Sequence, residues 1–208
     1  MIGIIDYGMG NLKSVANAFA SLGFDAFIAS SPKELDRAGH VVLPGVGAFQ
    51  GAIETLERQG WVPRIMSVID RGLPFLGICL GMQLLFETSE ENGAFKGLGI
   101  FPGHVVRIPD RGADGGRLKI PHMGWNRLLL RKRSRILGDD GVYVYFVHSY
   151  SALTDSEHIS ASAAYGAELT AAVERDNVYA VQFHPEKSGA DGLEILRKFA
   201  SLNGGAAR

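Results

Sequence analysis

The chain has 208 residues, 21 Lys and Arg against 22 Asp and Glu, and a formal net charge of -1. This balance gives no electrostatic reason to expect binding to nucleic acid or to an anionic membrane surface. The single cysteine excludes an internal disulfide, and no run of about 18 apolar residues predicts a transmembrane helix. Because the N-terminus also lacks the features of a signal peptide, we expect a soluble, cytoplasmic protein.

The first half of the sequence alternates between predicted strands and predicted helices. The predicted strands are IGIID from Ile2, FDAFIAS from Phe24, HVVLPG from His40, and residues 74–78. The predicted helices include residues 12–19, 53–56, 65–69 and 80–86, where apolar residues recur at helical spacing. Strands that alternate with helices predict parallel βαβ units.

The second half is rich in β-branched and aromatic residues, which predict closely spaced strands. These stretches are HVVRIP, NRLLLR, GVYVYFVHSY, ISASAAY, ELTAAVERD and NVYAVQFH. Part of the sheet is therefore expected to be antiparallel or mixed. Ser188 and Asp191 have the spacing of a capping box that opens a last helix. DRGADGGR is expected to be a flexible loop and the terminal GGAAR to fray, within a single domain over residues 1–208.

The stretch LGICLGMQLL contains the only cysteine, Cys79, with Gly77 and Gly81 two residues to either side. A G-x-nucleophile-x-G pattern between a strand and a helix predicts a sharp, strained turn that exposes the nucleophile. The turn would place the sulfur at the carboxyl end of the sheet and at a helix N-terminus, which favours thiolate. A lone cysteine is more often a small buried hydrophobe, but the two glycines favour the nucleophile.

A nucleophilic thiol needs a base, and the base needs a group that orients it. Among the six histidines, His184 ends the apolar stretch VYAVQF, and Glu186 follows two residues later. In an extended chain these two side chains point the same way, so Glu186 can bind the imidazole. One cysteine and scattered histidines give no metal-ligand spacing, so we expect neither a metal nor a cofactor.

The segment PGVGAF follows the third predicted strand and leads into a helix. Gly45 and Gly47 allow the backbone to turn its amides toward a ligand. The N–H of Val46 or Gly47, together with the N–H of Leu80, is a candidate oxyanion hole. An ordinary strand–helix connection that requires glycines explains the same segment equally well.

GICLGMQLLFE, PGVGAF and QFHPEKSG together resemble the class I, triad-type glutamine amidotransferases, in the right order and over nearly the whole chain. The resemblance implies an α/β fold with a mixed, mostly parallel central sheet, helices on both faces and a nucleophile elbow. It implies that Cys79 attacks the side-chain amide of glutamine to form a thioester, while His184 moves the proton and Glu186 orients His184. It also places Gly45 and Gln83 at substrate-binding positions.

IIDYGMGNLKSV, PHMGWN and YFVHSY resemble one group in this class, the glutaminase subunits of imidazole glycerol phosphate synthases. These subunits pass ammonia to a (β/α)8-barrel cyclase subunit in a heterodimer. The cyclase then makes imidazole glycerol phosphate and aminoimidazole carboxamide ribotide in L-histidine biosynthesis. The resemblance implies a docking face that contains Asn11, Trp125, Tyr145 and His148. Trp125 and Tyr145 as core aromatics, and Asn11 as a helix N-cap, are the alternatives.

Other functions remain open at this stage. A glutaminase subunit of another synthase, such as the vitamin B6 type, and a freestanding cysteine hydrolase would share the elbow and the base. A nucleotide-binding loop at residues 6–11 lacks the third glycine, since Lys13 takes its place. A scaffold that has lost catalysis is disfavoured by the intact triad. The basic run RKRSR is interpreted as a solvated turn, with a partner contact as the alternative.

Overall fold

The computed structural model describes residues 1–113 and 115–203, so the predicted fraying of 204–208 lies outside the described residues. The described helices are α1 (Leu12–Ser21), α2 (Phe49–Arg58), α3 (Trp61–Asp70), α4 (Leu80–Gln83) and α5 (Gly189–Ala200). Short 3-10 helices span Pro32–Arg37 and Pro185–Lys187. Over these ranges, no helix has the combination of length and hydrophobicity that a bilayer crossing requires.

Most of the β-strands lie in the second half of the chain. In chain order they are β1 (Ile2–Ile5), β2 (Ala26–Ala29), β3 (His40–Gly45), β4 (Phe75–Cys79), β5 (Phe86–Ser89), β6 (Phe95–Lys96), β7 (Phe101–Arg107), β8 (His122–Arg127), β9 (Leu129–Leu130), β10 (Tyr143–His148), β11 (Tyr150–Leu153), β12 (Ile159–Ala164), β13 (Glu168–Arg175) and β14 (Val178–Val181).

The central sheet has the strand order β2-β1-β3-β4-β14-β13-β12-β9. Strands β2, β1, β3, β4 and β14 run parallel to one another, and β13, β12 and β9 continue the sheet in antiparallel pairs. β1, β4 and β14 are buried at every position, as expected for parallel strands that are covered on both faces. The predicted mixed, mostly parallel sheet is confirmed.

Helices cover both faces of this sheet, as predicted. Alternate residues of β1 point to opposite faces, so Ile4 and Ile5 belong to two different core clusters. The cluster with Ile5 includes the apolar faces of α2 and α3, and the cluster with Ile4 includes those of α1 and α5. The sheet is therefore the middle layer of three. The carboxyl ends of its parallel strands remain uncovered by these helices and are available for a site.

Two smaller sheets complete the fold within the described residues. β10 pairs with β8 in an antiparallel ribbon, and the order β11-β7-β5-β6 forms the other sheet. The predicted strands GVYVYFVHSY and NRLLLR are each split, at Ser149 and at Leu128, because the two halves pair with different partners.

The predicted helix over residues 80–86 is wrong at its C-terminal end. α4 stops at Gln83, and Phe86 begins a strand that pairs with Phe101 of β7. The carbonyl of Leu85 accepts the N–H groups of Ile100 (2.8 Å) and Phe101 (3.0 Å). These long-range hydrogen bonds override the helical spacing of the local sequence.

The predicted capping box is also wrong, since Ser188 makes no side-chain cap hydrogen bond to α5. Its hydroxyl instead donates to the carbonyl of His184 (2.6 Å) and accepts the N–H of Tyr145 (2.9 Å). Ser188 thus ties β10 to the segment that carries His184.

The basic run at 131–135 is anchored to the protein surface. Arg131 pairs with Glu168 (2.7 Å), Lys132 donates to the carbonyl of Glu174, and Ser134 donates to the Glu174 carboxylate (2.6 Å). Arg131, Arg133 and Arg135 nevertheless remain exposed along a bend, which is consistent with the expected solvated turn, and a partner contact stays a prediction.

Candidate active site

Cys79 lies at the sharp turn between β4 and α4, with φ 55° and ψ -110°. A Cβ on Gly77 would lie 2.8 Å from the carbonyl oxygen of Gly81, and a Cβ on Gly81 would lie 1.9 Å from the carbonyl oxygen of Leu43. Both positions therefore require glycine, because neighbouring backbone atoms lie too close for a side chain. The predicted elbow geometry is present.

His184 and Glu186 follow β14, which is the parallel neighbour of β4. Nδ1 of His184 lies 2.8 Å from Oε1 of Glu186, and their side chains are 3% and 1% exposed. The backbone N–H of His184 donates to the carbonyl of Tyr145 at 2.9 Å. Adjacent parallel strands thus bring the predicted base and its orienting carboxylate to the same sheet edge as Cys79.

The electrostatic environment of His184 favours its protonated form. Burial lowers the pKa of His184, but the neighbouring Cys79 and Glu186 outweigh burial and raise the pKa to about 9. Nε2 of His184 is buried and makes no hydrogen bond of normal geometry. This nitrogen is free to exchange a proton with the sulfur or with a bound reactant.

A cavity of about 380 Å³ opens over the elbow, within the range of about 300–1,000 Å³ typical of small-molecule sites. Its wall contains Cys79 and His184 together with Val46, Gly47 and Leu80, the three predicted oxyanion residues. Gly47 has φ 103°, a left-handed conformation in which the loop turns immediately after β3. The structure therefore brings the predicted oxyanion residues and the nucleophile to one cavity.

Gly45 lies behind this cavity. It pairs with Cys79 across β3 and β4, and a Cβ here would lie 2.5 Å from the hydroxyl of Tyr7 and 3.0 Å from the amide nitrogen of Gly81. Burial raises the pKa of Tyr7, and a negative charge on Cys79 raises it further. Gly45 thus provides room for the elbow, and among the described residues it is not part of the cavity wall.

Gln83 lines the cavity and belongs to a chain of side-chain hydrogen bonds. Its Nε2 donates to the carbonyl of Tyr150 (3.1 Å) and to Oε1 of Gln182 (2.9 Å), and Nε2 of Gln182 lies 3.7 Å from Sγ of Cys79. No role for Gln182 was predicted from the sequence. The available signal was a polar residue at the end of an otherwise apolar strand.

A second chain of hydrogen bonds starts at the same carbonyl. Nδ1 of His148 donates to the carbonyl oxygen of Tyr150 (2.8 Å), so its Nε2 accepts from Nδ1 of His122 (2.9 Å). Nε2 of His122 in turn accepts from Nδ2 of Asn126 (3.1 Å). Each tautomer follows because a carbonyl oxygen only accepts.

The two imidazoles in this chain are kept neutral. Burial lowers the pKa of His122 to about 4, and burial, opposed by the Tyr150 hydrogen bond, lowers the pKa of His148 to about 4. His122 is stacked between Phe146 and Tyr165, at ring-centroid distances of 4.7 and 4.1 Å. No function for His122 was predicted from the sequence, because its partner His148 is distant in the chain.

The four residues predicted for the docking face differ in their accessibility. Trp125 is 56% exposed and makes an edge contact with Tyr145 at 6.3 Å, so Trp125 is not a core aromatic. Asn11 is half-buried and occupies the N-cap position of α1 without a side-chain cap hydrogen bond. His148 is only 6% exposed and lines the cavity, and its place at the docking face stays a prediction.

The model of the family described as glutamine amidotransferase class-I matches residues 3–202. The chain belongs to the class-I glutamine amidotransferases. It is 52% identical over 204 residues to imidazole glycerol phosphate synthase subunit HisH from Geobacillus sp. (strain WCH70), and the aligned region covers 97% of each protein. It is 49% identical over 203 residues to the subunit of the same name from Methanothermobacter thermautotrophicus, covering 97% of this chain and 98% of that protein.

The fold is shared with a solved structure. A structure described as glutamine amidotransferase superposes with a TM-score of 0.73 at 18% identity, over 97% of this chain and 99% of that one. Within the described part of this amidotransferase, no group of three or more His, Cys, Asp or Glu side chains is arranged to hold a metal ion.

Proposed function

We propose that this amidotransferase is the glutaminase subunit of an imidazole glycerol phosphate synthase. It hydrolyses glutamine to glutamate and ammonia and supplies the ammonia to a cyclase subunit for L-histidine biosynthesis. The observation that carries the proposal is the buried His184–Glu186 pair beside the elbow of Cys79, in a chain 52% identical to a HisH subunit over 97% of both proteins.

The proposed reaction begins when the thiolate of Cys79 attacks the carboxamide carbon of glutamine. Negative charge develops on the carboxamide oxygen, where the N–H groups of Leu80 and of Val46 or Gly47 stabilise it. The carbon–nitrogen bond then breaks, and His184 gives its proton to the departing nitrogen, which leaves as ammonia. A thioester between Cys79 and the glutamyl group remains.

Water completes the cycle. His184, now neutral, takes a proton from the attacking water, and the hydroxide adds to the thioester carbon. The carbon–sulfur bond breaks, glutamate leaves, and the thiolate of Cys79 and the protonated His184 are restored. Glu186 stabilises the imidazole whenever it is protonated and keeps Nε2 directed toward the cavity in both states.

Gln83 is proposed to contact the substrate through its side-chain oxygen. Its two N–H groups are used by Tyr150 and Gln182, so Oε1 is the atom left to accept a hydrogen bond from the α-ammonium group of glutamine. Gly45 contributes indirectly, because the absence of its side chain leaves space for Tyr7 and the elbow.

The partner is proposed to be a (β/α)8-barrel cyclase subunit, docked in a cytoplasmic heterodimer over a face that includes Asn11, Trp125 and Tyr145. An exposed tryptophan packed against a tyrosine is typical of a protein interface. A direct route between subunits keeps ammonia unprotonated, whereas ammonia in water at neutral pH is mostly the non-nucleophilic ammonium ion. A vitamin B6-type glutaminase or a freestanding hydrolase would lack this partner.

The test measures glutamate release from glutamine by the chain alone, then with a cyclase subunit, then with the cyclase and its nucleotide ligand. We expect release to rise steeply only in the complete mixture. The variant Cys79→Ala is expected to abolish release while still binding the cyclase. Glutamate release by Cys79→Ala near the wild-type rate would refute the assignment of Cys79 as the nucleophile. Fast release by the chain alone, unchanged when the cyclase is added, would refute the proposed partner.

A further inference from the structure

The sulfur of Cys79 has fewer stabilising groups than the sequence suggested. The predicted helix after it is a single turn, Leu80–Gln83, and the aligned dipole of one turn is small. The carbonyl oxygen of Val147 lies 3.9 Å from Sγ, where it accepts the S–H of the thiol and repels the thiolate. The thiolate therefore depends on the protonated His184 and on any further hydrogen-bond donor rather than on the helix.

Gln182 has the only side-chain amide that the described residues place against this sulfur, with Nε2 3.7 Å from Sγ. Its orientation follows from neighbouring atoms. The carbonyl of Tyr150 only accepts, so Nε2 of Gln83 faces it, and the second N–H of Gln83 faces Gln182. The atom of Gln182 that receives this N–H must be oxygen, and its nitrogen must point toward Cys79.

Both residues in this contact are largely buried. Gln182 is 0% exposed and Cys79 is 7% exposed, so little water competes for the sulfur. A hydrogen bond to a charged atom is stronger in such surroundings than in water. The Gln182 N–H is thus placed to favour the thiolate over the thiol, because the charged sulfur is a much stronger hydrogen-bond acceptor than the weakly accepting thiol sulfur.

We propose that Gln182 is a catalytic residue of this site, whose side-chain N–H binds the sulfur of Cys79 and stabilises the thiolate before attack and after thioester hydrolysis. This inference rests on the proposed function, since it assigns Cys79 the role of nucleophile. Gln83 and Tyr150 act through Gln182 as positioning groups. The competing explanation is structural: Gln182 would only satisfy the N–H of Gln83.

The test uses two variants that remove the donor in different ways. Gln182→Glu keeps an oxygen toward Gln83 and replaces the N–H with a carboxylate oxygen. Gln182→Met removes both polar atoms at similar volume, which a buried site tolerates best. Gln59→Leu is the matched control, because its amide accepts from Trp61 on an exposed turn distant in the chain from the elbow.

The first measurement is the rate of alkylation by iodoacetamide as a function of pH. Cys79 is the only cysteine, so the rate reports on one sulfur. We expect the midpoint pH of alkylation to rise by about one unit in Gln182→Met, equivalent to about tenfold less thiolate, and by more in Gln182→Glu. The midpoint in Gln59→Leu is expected to equal that of the wild type.

The second measurement is glutamine hydrolysis in the complex with the cyclase subunit. In Gln182→Met we expect kcat to fall about tenfold, KM to change less than about threefold, and part of the loss to be recovered at higher pH. An unchanged alkylation midpoint in folded variants, with lower thermal stability alone, would overturn the proposal in favour of the structural explanation.

The two proposals fail in different ways. If Cys79→Ala hydrolyses glutamine, the nucleophile assignment fails regardless of Gln182. If Cys79→Ala is inactive while the Gln182 variants keep the wild-type midpoint and kcat, only the role of Gln182 fails. If one Gln182 variant does not fold, the alkylation midpoint of the other still decides the question.

Discussion

The imidazole of His184 and the carboxylate of Glu186 form a hydrogen-bonded pair, with Nδ1 2.8 Å from Oε1 and both side chains almost inaccessible to solvent. A carboxylate on Nδ1 fixes the tautomer of the ring and leaves Nε2 for proton transfer. Burial lowers the pKa of His184, but Cys79 and Glu186 outweigh burial and raise the pKa to about 9. The stabilisation from these contacts is therefore complete below about pH 6.5 and is lost as the pH rises through about 9.

Glu186→Gln is expected to reduce kcat for glutamine hydrolysis by about 100-fold or more, because the imidazolium loses its counter-charge. The loss should be accompanied by a lower pKa of His184, seen as a shift of the alkaline limb of the activity profile to lower pH, because His184 must be protonated to give its proton to the leaving nitrogen. Glu194→Gln, which alters an exposed glutamate of α5 paired with Arg197, is the control. Equal activity of the two variants would contradict the role of Glu186.

Acidification is expected to destabilise the protein through His148. Its pKa is lowered from 6.5 to about 4 in the fold, so the unfolded chain takes up a proton between these values and the folded protein does not. Stability should be complete above about pH 6.5 and fall by about 3 kcal/mol by pH 4 from this residue. His148→Gln should flatten this dependence in urea titrations, and the exposed His104→Gln should leave it unchanged.

Gly81→Ala is expected to destabilise the fold by about 3 kcal/mol and to abolish glutamine hydrolysis. The new Cβ would meet the carbonyl oxygen of Leu43 at 1.9 Å, so the elbow would have to move. Gly138→Ala meets no atom within 4 Å and is the matched control. Thermal unfolding and glutamate release measure the two effects. Wild-type stability and activity of Gly81→Ala would show that the space between Gly81 and Leu43 does not require glycine.

Trp125→Ala is expected to weaken binding of the cyclase subunit by about 10- to 100-fold, since an exposed tryptophan at an interface often dominates the binding energy. Isothermal titration calorimetry with the purified cyclase measures the affinity. Leu153→Ala removes a similarly exposed apolar side chain from β11 and should bind normally. Equal affinities for both variants would place the docking face elsewhere.

Local sequence was enough to predict the elements that depend on short-range chemistry. The strand HVVLPG, the elbow at Cys79 and the His184–Glu186 spacing all follow from neighbouring residues, and the structure contains each of them. Helical spacing failed at Phe86, where pairing with Phe101 decides the backbone. A helix pattern of one or two turns carries too little free energy to resist such pairing.

The parts of the site that sequence did not predict depend on contacts between distant segments. His122 and His148 meet only because β8 and β10 pair in register. The orientation of Gln182 depends on a carbonyl of β11 and a side chain of α4. Ser188 was expected to cap a helix, but its hydroxyl instead accepts the N–H of Tyr145 in the neighbouring strand β10. No pattern within either segment reveals such partners.

The position of β14 has a consequence for biosynthesis of the protein. This strand lies between β4 and β13 in the middle of the sheet, although it comes after both in the chain. A nascent chain that has emerged only as far as residue 177 therefore holds two unpaired strand edges, which are prone to aggregate. When Val178–Val181 inserts, the sheet closes and the nucleophile meets its base, so reactivity cannot precede the completed fold.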